Sequence, residues 1–263
     1  MSRLSEIFSN NPKCFVPFVT AGHPDLEAPE RIVVELVEAG SHIVEIGIPF
    51  SDPIADGPVI QTSSFRALRH GYGIADYIEL VRRLRARVDA GLVFMTYMNP
   101  VWSYGPGRLA REAVEAGLDG IIISDLTPEE HNRFRKLGDP GHCVQGLDII
   151  FLAAPTSSDE RLEKVSRASG GFVYLVARTG VTGRRSDVES QVPATIRRLR
   201  KYSSLPIAVG FGITSAQDVR RVWRYADAAV IGTALVRFVD EHRHASDLPR
   251  QVGRFARDHL IPG

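Results

Sequence analysis

Two acidic residues lie close together in the sequence, at positions where a carboxylate could do acid-base chemistry. Glu45 interrupts the apolar run HIVEIGIPF, and Asp56 follows in the loop PFSDPIADGP. A carboxylate within an apolar run leaves water, so it is either ion-paired or functional. Burial would raise its pKa toward the range that proton transfer needs. Glu45 is therefore an ion-paired structural group or a general acid-base, and Asp56 is a helix cap or its catalytic neighbour.

Three glycine-rich segments predict a phosphate site. GVTG (180–183), GFG (210–212) and GT (232–233) each follow a predicted strand. Unhindered backbone N–H groups at strand ends and helix starts can converge on phosphate oxygens. Each glycine taken alone could instead serve a tight turn. Thr182 and Thr233 would add hydroxyl donors to a phosphate site, or cap a turn or helix.

Four aromatic residues lie at or near predicted strand ends, where they could line a pocket or fill the core. Tyr97 ends the third predicted strand and Tyr174 lies within the sixth. Phe18 and Phe211 would form an apolar wall that suits a flat aromatic ligand. Core packing with a satisfied hydroxyl is the alternative for both tyrosines.

The composition excludes several classes of protein. The 263 residues are 44% hydrophobic and 24% charged, and 32 Lys and Arg against 31 Asp and Glu give a formal charge of +1. A disordered protein would have fewer hydrophobic residues, and a typical nucleic-acid binder would carry a large positive charge. No apolar run reaches membrane length, and the N-terminus predicts a short uncleaved helix. Cys14 and Cys143 lie far apart without metal or disulfide spacing, so we expect a cytoplasmic protein.

No metal site is predicted. His242 and His244 are two residues apart, so on a helix they would point to different faces.

The secondary-structure elements that must position these residues repeat in one pattern, in which short Val-, Ile- and Phe-rich runs alternate with amphipathic segments. Eight runs are predicted as strands: 15–20, 42–47, 92–97, 120–124, 148–153, 171–177, 206–210 and 228–232. Eight parallel strands close a barrel, so the sequence predicts a single-domain (β/α)8 TIM barrel over residues 1–263 with a short N-terminal helix. An open doubly wound sheet is the alternative, but TAGHPD follows the first strand where that fold would place GxGxxG.

Several motifs together resemble the alpha subunit family of tryptophan synthase. They are FVPFVTAGHPD, VEIGIPFSDPIADGPVIQ, GFVYLVARTGVTG and AVGFGIT, and the similarity runs from Phe15 to about Val236. The resemblance implies a barrel lyase that cleaves indole-3-glycerol phosphate to indole and glyceraldehyde 3-phosphate by a retro-aldol step. It implies no cofactor, since pyridoxal phosphate belongs to the beta subunit of that family.

Site residues are implied by the same resemblance. Glu45 would protonate indole C3 and take the glycerol hydroxyl proton, while Asp56 would hold the indole N–H. The substrate pocket would include Phe18, Tyr97, Tyr174 and Phe211, and the phosphate would meet Thr182, Gly183, Gly212, Gly232 and Thr233.

The family also implies a partner, a beta subunit in an αββα heterotetramer that receives indole through a tunnel. The partner interface would include Asp52, Pro53, Asn99 and Trp102, with Tyr104 nearby. Thr127 and Thr233 stand where the family usually has Pro and Ser, so a stand-alone lyase paralogue stays possible. A mainly regulatory subunit and a phosphosugar isomerase on the same scaffold are further alternatives.

Overall fold

The computed structural model describes residues 2–131, 146–176, 185–210 and 212–262. Within these ranges nine strands pair in parallel, in the order β5-β4-β3-β2-β1-β9-β8-β7-β6. The strands are β1 (Cys14–Thr20), β2 (Ile43–Gly47), β3 (Gly91–Thr96), β4 (Gly120–Ile123), β5 (Asp148–Ile150), β6 (Leu152–Ala153), β7 (Val173–Val176), β8 (Ile207–Gly210) and β9 (Ala228–Ile231).

The two ends of this strand order belong to one predicted strand. We predicted a continuous strand over 148–153, and the structure divides it at Phe151 into β5 and β6. The Phe151 amide donates a hydrogen bond to the Ser169 hydroxyl (3.2 Å), so it leaves the strand ladder at this residue. Because β5 and β6 are one residue apart in the chain, the sheet curls into a nearly closed barrel, which confirms the predicted (β/α)8 fold.

Helices follow the strands, as a parallel barrel requires. They are α1 (Arg3–Asn10), α2 (Ala28–Glu38), α3 (Pro58–Leu68), α4 (Ile74–Arg85), α5 (Met98–Tyr104), α6 (Pro106–Ala116), α7 (Asp159–Ala168), α8 (Arg185–Leu199), α9 (Ala216–Trp223), α10 (Thr233–Glu241) and α11 (Leu248–Phe255). A π-helical turn, Ala256–Leu260, continues α11. In the described ranges, every helix is too short or too polar to cross a membrane.

Alternation along the strands separates the barrel interior from the layer under the helices. In β1, Cys14, Val16 and Phe18 belong to one buried cluster, whereas Phe15 and Val19 belong to the cluster that packs on the helices. Successive side chains of a strand point to opposite faces, so the first set faces inward. The predicted N-terminal helix is confirmed as α1, and its Leu4 and Phe8 pack into the interior cluster.

Candidate active site

A cavity opens where several strands end and the following loops begin. It contains about 410 Å³ of space, part of which is open to solvent. Its lining brings together residues that are far apart in the sequence: Phe18, Glu45, Asp56, Ile60, Met95, Tyr174, Gly212, Ile213, Val230, Gly232 and Thr233. Seven of these were predicted as site residues from the sequence. The carboxyl ends of barrel strands are where such folds bind their ligands.

Glu45 lies in β2, beside Phe18 of β1 and Val93 of β3 in the strand register. The residue is only 2% exposed. Its Oε1 atom has no hydrogen-bond partner among the described residues, and no ion pair there includes it. The ion-paired alternative is therefore wrong for the described part of the chain. Burial raises the pKa of Glu45 to about 8, and the nearby Asp56 adds to the rise.

Asp56 lies in the loop between β2 and α3. The helix begins after Gly57, not after Asp56, so the predicted capping alternative is wrong. The Tyr97 hydroxyl donates a hydrogen bond to the Asp56 carboxylate and accepts one from the Ala55 amide (3.0 Å). Burial raises the pKa of Asp56 to about 6, while the Tyr97 hydrogen bond opposes the rise.

Tyr97 occupies a slightly different place from the predicted one. Strand β3 ends at Thr96, and Tyr97 is the residue that precedes α5. Its backbone leaves the ladder there, and its ring lies 5.3 Å from that of Phe50, a residue the sequence analysis missed. Tyr97 acts on the cavity through Asp56 and is not among its lining residues.

Two aromatic rings reach the cavity because glycines leave room for them. A Cβ atom on Gly210 would lie 2.0 Å from the Tyr174 hydroxyl oxygen. One on Gly47 would lie 2.2 Å from Cζ of Phe18. Both rings are buried, and burial together with the two carboxylates raises the pKa of Tyr174. Any larger residue at either glycine would displace a ring that lines the site.

The predicted phosphate side of the cavity is formed by Gly212, Ile213, Gly232 and Thr233. Gly212 has a φ of +79°, which favours glycine. Gly232 is the residue before α10, and Thr233 begins that helix. The first amides of a helix lack intrahelical acceptors, so they are available to an anion. The predicted site residues Thr182, Gly183 and Phe211 lie outside the described residues.

Four apolar lining residues were not predicted: Ile60, Met95, Ile213 and Val230. Met95 and Val230 lie two residues beyond inward-facing Val93 and Ala228, so strand alternation could have identified them. Ile60 lies on α3 and Ile213 in a loop, where no periodic signal indicates contact with the cavity.

The residues predicted for a partner interface have mixed exposure. Asp52, Asn99 and Trp102 are exposed, whereas Pro53 is buried. Ile54, which was not predicted, is among the most exposed large apolar side chains of the described residues. Tyr104, expected near this interface, is half-buried, since its hydroxyl donates to Glu112 and its ring lies under Arg108.

No group of three or more His, Cys, Asp or Glu side chains in the described ranges could hold a metal ion. The polar groups at the cavity are two carboxylates, the Tyr174 hydroxyl and the backbone amides near Gly212 and Gly232. These groups suit proton transfer and the binding of an anion.

The sequence profile of the family described as tryptophan synthase alpha chain matches residues 4–257. The chain belongs to the tryptophan synthase alpha chain family. A curated family member from Citrifermentans bemidjiense is 44% identical over 259 residues, which cover 97% of this chain and 95% of that protein. One from Geotalea uraniireducens is 42% identical at the same coverage.

Solved structures agree with this assignment. The fold matches a tryptophan synthase structure from M. tuberculosis with a TM-score of 0.83 and 33% identity, covering 98% of this chain and 99% of that one. It matches the alpha subunit from Legionella pneumophila equally well, with a TM-score of 0.83, 33% identity and coverage of 96% and 94%. The predicted family, fold and lyase activity on indole-3-glycerol phosphate are thereby confirmed.

Proposed function

We propose that this member of the tryptophan synthase alpha chain family cleaves indole-3-glycerol phosphate with Glu45 and Asp56 as the two catalytic groups. The observation that supports this most directly is the difference between their pKa values within one cavity, about 8 for Glu45 and about 6 for Asp56. At pH 7 Glu45 holds a proton and Asp56 is mostly ionised. Two similar acids are thus prepared for opposite roles.

In the proposed reaction, protonated Glu45 donates its proton to C3 of the indole ring. The ring nitrogen becomes positively charged, and the Asp56 carboxylate accepts a hydrogen bond from its N–H and opposes that charge. The bond between C3 and the glycerol carbon then breaks, and its electrons return to the ring as indole. The glycerol hydroxyl loses its proton to the Glu45 carboxylate as the aldehyde of glyceraldehyde 3-phosphate forms.

Other residues would hold the two ends of the substrate. Phe18, Tyr174 and Phe211 would enclose the indole, and Tyr97 would orient Asp56. Gly212, Gly232 and Thr233, together with Thr182 and Gly183, would bind the phosphate. This chemistry needs no cofactor in the chain itself, since protonation of the ring supplies the electron sink.

We further propose a beta subunit as partner, in an αββα assembly that receives indole, with pyridoxal phosphate in the beta subunit only. Exposed Asp52, Asn99 and Trp102 would lie at that interface, and exposed Ile54 adds apolar area to it. Pro53 would contribute by shaping the loop rather than by direct contact, because it is buried. We place the protein in the cytoplasm as one domain over residues 1–263.

The experiment that tests this function follows both products of indole-3-glycerol phosphate cleavage, with and without a tryptophan synthase beta subunit. We expect indole and glyceraldehyde 3-phosphate in equal amounts, formed slowly by the chain alone and faster with the partner. Substrate loss without indole would favour an isomerase, and stimulation of the partner without any turnover would favour a regulatory subunit. Fast release alone, unchanged by the partner, would indicate a stand-alone lyase.

A further inference from the structure

An acidic side chain on α10, outside the cavity, contacts two other segments that contribute to the cavity. The Asp240 carboxylate lies 2.7 Å from the Arg66 guanidinium on α3. The same oxygen lies 3.3 Å from Nε2 of His23, in the segment that follows β1. Three parts of the chain therefore meet at one carboxylate.

Each of these parts leads directly to a residue of the site. Helix α3 begins at Pro58, two residues after Asp56, and its first turn contributes Ile60 to the cavity. Helix α10 begins at Thr233, and β1 contains Phe18. The two helices pack against each other, and a Cβ atom on Gly232 would lie 3.5 Å from Cδ1 of Ile60. Their first turns thus line the cavity, and their last turns meet at Arg66 and Asp240.

The charges at this junction are partly shielded from water. The Asp240 side chain is 24% exposed, and His23 is 3% exposed. Burial lowers the pKa of His23 to about 4; Asp240 opposes this shift, and Arg66, Arg243 and His70 add to it. His23 is therefore neutral at pH 7, so the ion pair with Arg66 is the charged contact of Asp240. Removing one member of a partly buried pair leaves the other charge poorly solvated, so its loss costs more than the loss of an exposed pair.

A second contact fixes the same helix to the barrel. The hydroxyl groups of Thr20, at the end of β1, and Ser63, on α3, are hydrogen-bonded at 2.7 Å. Ser63, Ser64 and Ala67 are buried, and their small side chains let α3 approach β1 closely. Helix α3 is thus held to β1 by Ser63, which leaves Arg66 as its charged link to α10.

We infer that Asp240 is a positioning residue, which fixes α3 against α10 through Arg66 and so sets the distance between Asp56 and the Gly232–Thr233 turn. The inference rests on the proposed function, in which Asp56 holds the indole and Gly232 and Thr233 hold the phosphate. A substrate held at both ends binds well only if the two anchors keep their spacing. Glu45 lies in β2, on neither helix, so the proton transfer itself depends less on this contact.

The test compares Asp240→Asn with a matched control, Glu30→Gln. Glu30, on α2, also pairs with arginines: it lies 2.7 Å from Arg83 on α4 and 2.9 Å from Arg87 just after that helix, and its side chain is 17% exposed. Helices α2 and α4, which it joins, contribute no residue to the cavity in the described part of the chain. The steady-state kcat and KM for indole-3-glycerol phosphate are measured for both variants with the beta subunit present.

We expect Asp240→Asn to raise KM about tenfold and to lower kcat by a smaller factor, because Asp56 shifts while Glu45 keeps its place in β2. Glu30→Gln should leave both constants near those of the unmodified chain. Arg66→Met removes the same ion pair from the other helix and should reproduce the rise in KM. Arg66→Lys keeps the positive charge, so its KM should lie between that of Arg66→Met and that of the unmodified chain. If Asp240→Asn does not fold, Arg66→Met and Arg66→Lys decide the question.

If the unmodified chain is active and these variants have an unchanged KM, the inference is overturned but the proposed function is not. An equal rise in the KM of Glu30→Gln has the same meaning. A fall in kcat without a rise in KM also overturns it. Absence of indole from the unmodified chain overturns the proposed function and this inference with it.

Discussion

Glu45 and Asp56 have nearly the same chemistry in water, and the fold separates their behaviour. Glu45 is buried in β2, and its Oε1 has no hydrogen-bond partner among the described residues, whereas Asp56 is half-buried and accepts a hydrogen bond from Tyr97. The hydrogen bond favours the ionised form of Asp56, and nothing comparable favours ionised Glu45 among the described residues. One acid therefore keeps its proton at neutral pH, and the other loses it.

This difference predicts a bell-shaped pH dependence of kcat/KM. Activity should fall below about pH 6, where Asp56 becomes protonated, and above about pH 8, where Glu45 loses its proton. The measurement is kcat/KM for indole-3-glycerol phosphate between about pH 5 and 9.5. A profile that stays flat on the alkaline side would contradict the role of protonated Glu45.

The raised pKa of Glu45 also has a consequence for stability. The folded state holds the Glu45 proton more tightly than the unfolded state, in which the pKa of this carboxyl has its ordinary value of 4.5. The folded state therefore loses stability as the pH rises from 4.5 to about 8, the pKa of Glu45 in the fold. Glu45→Gln removes that cost, so it should stabilise the fold by on the order of 4 kcal/mol at pH 8 and by less than about 1 kcal/mol at pH 5. Urea unfolding at the two pH values tests this, and an equal effect at both would contradict it.

Residue types and spacing were sufficient to find Glu45, Asp56, Phe18 and Tyr174. An acid within an apolar run and an aromatic within a strand are visible in the sequence. The sequence did not show whether Glu45 is ion-paired, because that depends on which side chains from other strands surround it. The role of Asp56 was ambiguous for a similar reason, since only the observed start of α3 excludes Asp56 as its capping residue.

Among the elements, β8 shows how a strand end determines what the site contains. Gly210 ends β8, and the Tyr174 hydroxyl of neighbouring β7 occupies the space that a side chain would need. Gly210→Ala should therefore displace the Tyr174 ring and lower kcat/KM by about tenfold or more, with a loss of about 1–3 kcal/mol in stability.

The control for this prediction is Gly73→Ala. Gly73 precedes α4, and a Cβ atom there would have no neighbour within 4 Å. Its kcat/KM should match that of the unmodified chain. Full activity of Gly210→Ala would show that the tyrosine ring is not held as the structure indicates.

Sequence patterns predicted most elements because each strand is an apolar run between turn residues. The division of the fifth strand was missed because it depends on the contact between the Phe151 amide and Ser169, eighteen residues away. The packing of α1 was also missed. Its amphipathic pattern predicts a helix, but only the structure shows that Leu4 and Phe8 enter the barrel interior.

At the scale of the whole molecule, barrel closure brings distant segments together at one cavity. Eight apolar runs predict that closure, and the ends of parallel strands then share one face. The helix-borne Ile60 could not be assigned in this way, because the tilt of α3 against the barrel depends on contacts such as Thr20 with Ser63. The exposed Ile54 and Trp102 are likewise outcomes of packing that the sequence alone left open.

The most direct test of the account is the rate of indole formation from indole-3-glycerol phosphate by Glu45→Gln, measured with the beta subunit present. The account predicts loss of nearly all activity in a protein that is folded and at least as stable as the unmodified chain, while the control Glu30→Gln stays active. Retention of more than a few percent of the activity by Glu45→Gln would contradict the assignment of Glu45 as the catalytic acid.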